Sequence, residues 1–392
     1  MGLSLAQRMS RLGTETAFEV LARARELEAQ GRHIIHLEIG QPDFFTPKHI
    51  VGEAKKALDE GKHGYTPSPG LPELRDAIAE YVQQTRGFTC TRDNVVVTSG
   101  AKPVMWYLML AVLEPGDEVI YPNPGFPIYE SVANFMGATP VPLPMLEEKD
   151  FAFSLDDLRE RITDKTKLLI LNTPGNPTGG VLSREMIEGI AEVCREREFW
   201  ILSDEIYDQL LYDGREHFSI AEIEDMRPRT VILNGFSKRY AMTGWRLGFG
   251  VMPEWLTPHI SRLVTNSDSC AANFSQWAAI QAIRGPQEEV QQMIRTFAQR
   301  RDVLVEGLNE IPGVSCRTPG GAFYAFANVK SFEIDSKRIA DYLLEQCGVA
   351  CLDGKCFGGY GDGYLRFSYA NSVEEIREAL HRVREGLAKL PG

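Results

Sequence analysis

The chain has no apolar run approaching the roughly 20 residues that a membrane-spanning helix needs, and its first residues, MGLSLAQRMSRLGTETAFEV, lack the apolar centre of a secretory signal. A cytoplasmic protein is expected. Basic charge is also short: 42 Lys and Arg stand against 54 Asp and Glu, a net charge of −12, so nucleic acid and anionic membrane are poor default partners. Any anionic ligand needs a local basic site. The seven cysteines contain no CxxC pair, and the closest group, Cys347, Cys351 and Cys356, has irregular spacing and no histidine within it, so buried or incidental thiols are expected and no metal. The seven histidines are scattered and receive no catalytic role. No GxGxxG opens a helix after a strand, since Gly359, Gly361 and Gly363 lie near the C-terminus, which discounts a dinucleotide fold. Repeats, low-complexity tracts and flexible linkers are absent too.

What is present is a length of 392 residues, 43% of them hydrophobic, enough for a large α/β domain and a smaller one. Residues 17–30 have helix composition ending at Gly31, and IIHLEIG (34–40) reads as a short strand closed by Gly40 and the turn-rich QPDFFTP. From about 46 to 285, helix-like stretches alternate with the buried runs VVVT (95–98), EVIYP (118–122), LLILN (168–172), WILSDE (200–205) and TVILNGF (230–236). Runs without polar alternation suit strands covered on both faces, so a doubly wound, mostly parallel sheet is predicted. Ligands of such sheets bind at the carboxyl ends of the strands, where this chain places polar or glycine-bearing turns. After Gly285-Pro286 come a long charged helix, GGAFYAF, a helix near 336–346, YLRFSYA and a final amphipathic helix, the makings of a second, α+β domain. The expected division is 1–45 for an N-terminal arm and the start of the small domain, 46–285 for the large domain, and 286–392 for the rest of the small one.

Four segments carry chemistry. Lys238 follows a buried strand on a turn, where partial desolvation would lower its pKa and free the amine to form a Schiff base; Arg246, further along the same segment, supplies a planar fork for a phosphate. In ILSDEIYDQLLY, Asp204 at a strand end could keep a pyridine nitrogen protonated, the condition that makes pyridoxal phosphate (PLP) an electron sink, and Tyr207 could donate to the ring's phenolic oxygen. A helix N-cap is the competing role for Asp204. In LNTPGNPTGG, Asn176 offers donor and acceptor to the ring oxygen and a substrate carboxylate. In SGAKPVMWYLMLAVL, the backbone N–H groups of Ala101 and Lys102 would open a helix toward an anion.

Taken together and in this order, IGQPDFFTP, GYTPSPGLPELRDAIA, NPTGG, SDEIY, SKRYAMTGWRLG and YLRFSYA resemble the class I aminotransferases of the aspartate aminotransferase family, PLP-dependent fold type I, over nearly the whole chain. The resemblance implies that Lys238 is the Schiff-base lysine and later carries the substrate's proton, with Asp204 on the ring nitrogen and Tyr207 and Asn176 on its oxygen. It implies that Ser237, Arg246, Gly100, Ala101 and Lys102 surround the phosphate, with Tyr65 completing the site from the other protomer of a homodimer. Phe126 falls where an aromatic ring stacks on the cofactor, and Arg366 where a guanidinium clamps the substrate α-carboxylate, helped by Gly40 and Asn176. Phe126 also reads as plain core, and Arg366 as a surface ion-pair member. The chain departs from relatives in having Gly235 where several have a phosphate-binding serine, and Phe126 where Trp or Tyr is usual.

The implied reaction is ping-pong transfer of an amino group from an L-amino acid to a 2-oxo acid. In one branch of the family a lysine at the position of Lys102 recognises the distal carboxylate of aspartate or glutamate; a solvated lysine at the helix start is the other reading. Phe18, on the segment Thr16-Ala17-Phe18 expected at the pocket lip, suits aromatic or aliphatic side chains equally, so aromatic-type, alanine-type and broad specificity stay open. A lyase or decarboxylase on the same fold is the rival chemistry. A PLP-sensing transcription regulator would need a DNA-binding domain that residues before 17 cannot supply.

Overall fold

Aliphatic runs without polar alternation bury both faces of a strand, and the central sheet of a computed structural model, which describes residues 3–390, is built from such runs. In chain order the strands are β1 (Ile35–His36), β2 (Val95–Thr98), β3 (Glu118–Asn123), β4 (Thr139–Pro144), β5 (Thr166–Asn172), β6 (Trp200–Asp204), β7 (Thr230–Gly235), β8 (Gly248–Val251), β9 (Ser315–Cys316), β10 (Tyr324–Asn328), β11 (Val349–Ala350), β12 (Leu352–Asp353) and β13 (Tyr364–Ser368). Seven of them form one sheet in the order β2-β8-β7-β6-β5-β3-β4. Neighbours from β4 through β7 are parallel, and β8 runs antiparallel to both β7 and β2. The predicted α/β architecture with a mostly parallel sheet is the one observed.

Alternate side chains of one strand enter different cores, as the two-residue period requires. Val95 and Val97 pack with Ile50, Leu74 and Ala278, whereas Val96 packs with Val104, Leu108 and Val132. Leu168 and Ile170 likewise join the second of these clusters while Leu169 and Leu171 join a third with Ile187 and Ile190. Each such side chain contributes roughly 1.5–3 kcal/mol through its removal from water. The two-sided burial fixes the register and therefore the places where the strands stop.

The smaller α+β part has the antiparallel order β12-β13-β10-β9, with β1 and β11 paired separately and in parallel. The helices Glu288–Asn309 and Val373–Leu387 supply Phe297, Leu304, Ile376 and Val383 to its core, where Ile35 and Leu37 from the start of the chain join Phe323 and Leu365. The strand expected over 34–40 is shorter than predicted. Beyond His36, the Leu37 carbonyl accepts from the Ser368 N–H at 2.7 Å and the Glu38 carbonyl is taken by the Arg366 guanidinium, so the backbone leaves the ladder to serve the cleft. Among the described residues no helix is long and apolar enough to cross a membrane.

Candidate active site

Parallel strands end on the same edge of a sheet, and β5, β6 and β7 end at Asn172, Asp204 and Gly235, with Ser237 and Lys238 directly after the last. Helix Lys102–Val112 starts at the same edge, and Arg366 on β13 and Gly40 reach it from the smaller part, enclosing a cleft of about 510 Å³. That volume suits a small organic ligand.

Lys238 Nζ donates to the Gly40 carbonyl. Burial brings its pKa down to about 8, helped by the cationic neighbours Arg366, Lys102 and Arg246 and opposed by Glu15. Burial acts in the other direction on Asp204, raising its carboxyl to about 6 against the donors Tyr129 and Ile206. The Tyr129 hydroxyl donates to Asp204 Oδ2 at 2.6 Å and the Ile206 N–H to Oδ1 at 3.2 Å. Turns, not a helix, follow Asp204, so the N-cap role does not apply. Asn172 Nδ2 donates to the Asp204 carbonyl at 3.2 Å and Asn172 Oδ1 accepts from the Asn176 N–H at 2.9 Å, which ties the LNTPGNP turn to the SDEIY turn. Tyr207 is buried, shares a 2.8 Å hydrogen bond with the Tyr324 hydroxyl, and is held neutral by burial.

Arg366 is 3% exposed, so the surface ion-pair reading is set aside. Its Nη1 donates to Asn176 Oδ1 at 3.0 Å and its Nη2 to the Glu38 carbonyl, its guanidinium lies 4.3 Å from the Tyr324 ring centroid and 5.0 Å from that of Phe357, and Nε has no partner among the described residues. A buried, ring-clamped fork with an unmet donor is suited to a bidentate anion. Gly40 is where it is because a Cβ there would collide with the Tyr324 hydroxyl.

A second cationic corner forms around Arg246, which has a left-handed φ of 53° and donates to the carbonyls of Thr243 at 3.0 Å and Ser99 at 3.4 Å. Gly100, at φ +93°, lies against this guanidinium with no room for a Cβ, and Ala101 approaches Gly248 just as closely. The start of the helix behind them therefore sits beside Arg246 and Ser237; Pro103 carries no N–H and the Val104 N–H donates to the Ala101 carbonyl at 3.1 Å, which leaves the N–H groups of Ala101 and Lys102 for an anion. Gly235 also has a packing reason: a Cβ would stand 3.1 Å from Gly248 Cα and 3.2 Å from the Leu247 carbonyl, so a serine there would strain the β7–β8 pair.

Phe126 borders the cleft, half-buried and edge-on to Tyr129 at 5.6 Å, so it is more than core filling. Lys102 is ion-paired with Glu15, its Nζ 5.2 Å from the Phe126 ring centroid. Tyr65 is 91% exposed and is not part of its own chain's cleft. Glu15, Tyr129, Asn172 and Tyr324 also line the cleft, and none of the motifs singles them out. Tyr129 and Asn172 lay within reach: one stands a helical turn beyond Phe126, the other ends a strand whose neighbour ends at Asp204.

Residues 32–383 match the family model described as aminotransferase class I and II. The chain belongs to the aminotransferase class I and II family. This aminotransferase is 38% identical over 396 residues to a probable aspartate/prephenate aminotransferase of Aquifex aeolicus, covering 100% of both chains. It is 39% identical over 363 residues to aromatic-amino-acid aminotransferase 2 of Thermococcus litoralis, with 92% of this chain and 93% of the relative covered. Among solved structures it resembles the aspartate aminotransferase of Thermus thermophilus with maleate at a TM-score of 0.94 and 36% identity, covering 98% of this chain and 100% of that one. The aminotransferase thus has the PLP-dependent fold type I and transfers amino groups, as the family resemblance implies.

Proposed function

We propose that the aminotransferase binds pyridoxal 5′-phosphate in this cleft, joined to Lys238, and moves an amino group from an L-amino acid with an acidic side chain to a 2-oxo acid in two half-reactions. The observation that carries this reading is one part-buried lysine between two separate cationic corners, with a buried carboxyl beside it. The donor set fits the cofactor: Arg246, Ser237 and the helix start around Gly100, Ala101 and Lys102 suit its phosphate, and the backbone cradle there has no space for side chains at Gly100 or Gly248. Asp204 suits a protonated ring nitrogen, Tyr207 and Asn176 the ring oxygen, and Phe126 a ring face.

When bound, PLP supplies an electron-accepting ring conjugated to the carbon that loses its proton. The rest falls to the chain. Arg366 and Asn176, near Gly40, hold the substrate α-carboxylate and so present one face of the α-carbon to Lys238. With its pKa near 8, Lys238 Nζ is free of its extra proton in a useful fraction of molecules near neutral pH, and can take the α-proton and return it elsewhere. Asp204, fixed by Tyr129 and the Ile206 N–H, holds the compensating negative charge in place.

Lys102 at the cleft and the names of relatives such as aspartate aminotransferase of Bacillus subtilis support acidic donors. The apolar wall of Phe18, Ile39 and Met105 favours aromatic donors as a second reading. A homodimer with shared sites is part of the proposal, supported by the exposure of Tyr65, and of Phe45 at 98%, which leaves both free to meet a second copy. So is the division at residues 45 and 285, supported by the core that Ile35 and Leu37 share with Leu304 and Phe323. Initial rates with L-aspartate and 2-oxoglutarate varied together test the reaction: parallel double-reciprocal lines are expected, and intersecting lines overturn the two-half-reaction scheme.

A further inference from the structure

A lysine that recognises a distal carboxylate must have its charge available, and in this chain it is already matched. Lys102 Nζ donates to Glu15 Oε2, and among the described residues neither side chain has another hydrogen-bond partner. Both side chains line the cleft, and neither is fully buried, at 43% exposure for Lys102 and 24% for Glu15. The acid lies close enough to the cleft centre to act on the charges of Lys238 and Tyr324.

The two partners come from different parts of the molecule. Lys102 opens the helix Lys102–Val112, whose Val104 and Leu108 are rooted in the core of the large sheet. Glu15 immediately precedes the helix Thr16–Ala29, whose Ala17 packs with Phe326, Leu352 and Phe357, and whose Leu27 packs with Leu344 and Ala350, all in the smaller part. The ion pair therefore crosses the mouth of the cleft, with Phe18 beside it and Phe126 beneath the lysine. Its backbone anchors are fixed while its side chains are half-solvated, so the bond can exchange without disturbing either core.

We propose that Glu15 sets the donor specificity by acting as an internal counter-ion for Lys102. The inference rests on the aminotransferase reading of this cleft and deepens it. A substrate with a distal carboxylate must displace Glu15 from Lys102 and then sit beside a like charge, which weakens its binding. An uncharged aromatic or aliphatic side chain leaves the pair standing and meets Phe18, Ile39 and Met105 instead. One pocket thereby accepts both classes, and the ratio between them is set by Glu15.

The test uses PLP-saturated protein and four forms: the natural chain, Glu15→Gln, Lys102→Gln and the double variant. Succinate, a dicarboxylate without an amino group, is titrated by calorimetry, and kcat/KM is measured for L-aspartate and L-phenylalanine. Glu15→Gln should tighten succinate by about tenfold and raise the aspartate-to-phenylalanine ratio by a similar factor. Lys102→Gln should weaken succinate, and in that background the effect of Glu15→Gln should largely vanish, because it acts through the lysine. Unchanged succinate affinity and an unchanged ratio in Glu15→Gln overturn the inference while leaving the aminotransferase reading intact. Failure of the natural chain to convert any amino acid to its 2-oxo acid would instead overturn that reading.

Discussion

Replacing Asp204 by asparagine should make the cofactor-free protein more stable at neutral pH while removing most of its turnover. The carboxyl is buried, and its pKa rises from 3.8 to about 6 because burial penalises the charge more than the Tyr129 hydroxyl and Ile206 N–H compensate. A raised pKa means that the folded chain holds this proton more tightly than the unfolded one. Its contribution to stability is thus complete below about pH 3.8 and is lost as pH rises through about 6. A difference of roughly 2 units corresponds to about 3 kcal/mol, present as a penalty at pH 8. Asparagine keeps the shape, offers an oxygen to the Ile206 N–H, and gives the Tyr129 hydroxyl a donor toward which it can turn. Urea unfolding of both cofactor-free proteins at pH 4 and pH 8 measures the effect. The stability of Asp204→Asn relative to the natural chain should grow by about 2–3 kcal/mol between the two pH values. A difference that stays constant or shrinks would refute the assignment of a buried, strained charge. In the loaded enzyme the same substitution removes the partner proposed for the ring nitrogen, and kcat should fall by about 100-fold or more.

Three further outcomes follow from the geometry. Gly100→Ala should weaken PLP binding by about tenfold or more, measured by equilibrium titration, because the new methyl both strains a left-handed residue and displaces the Arg246 guanidinium; unaltered affinity would count against the phosphate corner. Arg366→Lys should raise KM for every amino donor by about 30-fold or more, since an ammonium cannot replace a fork that spans Asn176 and the Glu38 carbonyl, and a change confined to acidic donors would contradict its place on the α-carboxylate. The rate at which cofactor-free protein captures PLP should increase from pH 6 with a midpoint near pH 8 and level off above about pH 9, as the part-buried Lys238 loses its proton; a rise that continues past pH 10 would point to an ordinary exposed lysine.

The parts of the fold legible in the sequence were those governed by local rules. VVVT coincides with its strand, and LLILN, EVIYP and WILSDE match theirs within two residues, because unbroken aliphatic runs have little use except in a covered strand. The strand Thr139–Pro144 lacks such a signal: proline at 140, 142 and 144 argues against a ladder, and is tolerated because β4 is an edge strand that pairs only with β3. Gly248–Val251 lacks it too. Its glycines make it a weak strand by propensity, and they are there because Ala101 and Val104 press against it. The site divides along the same line. Lys238, Asp204 and Asn176 lie in turns or at a strand end whose chemistry is local, whereas Glu15 and Tyr324 reach the cleft only through the packing of distant helices and strands, and no spacing announces them.

The most direct test of the central claim is the absorbance spectrum of the PLP-reconstituted protein, recorded before and after L-aspartate is added with no 2-oxo acid present. The visible band that arises from the cofactor held by Lys238 should disappear as a near-ultraviolet band grows and one equivalent of oxaloacetate is released, and adding 2-oxoglutarate should restore the first spectrum. A visible band that persists while carbon dioxide, ammonia or an amine accumulates, or a protein that never acquires the band, would contradict the account.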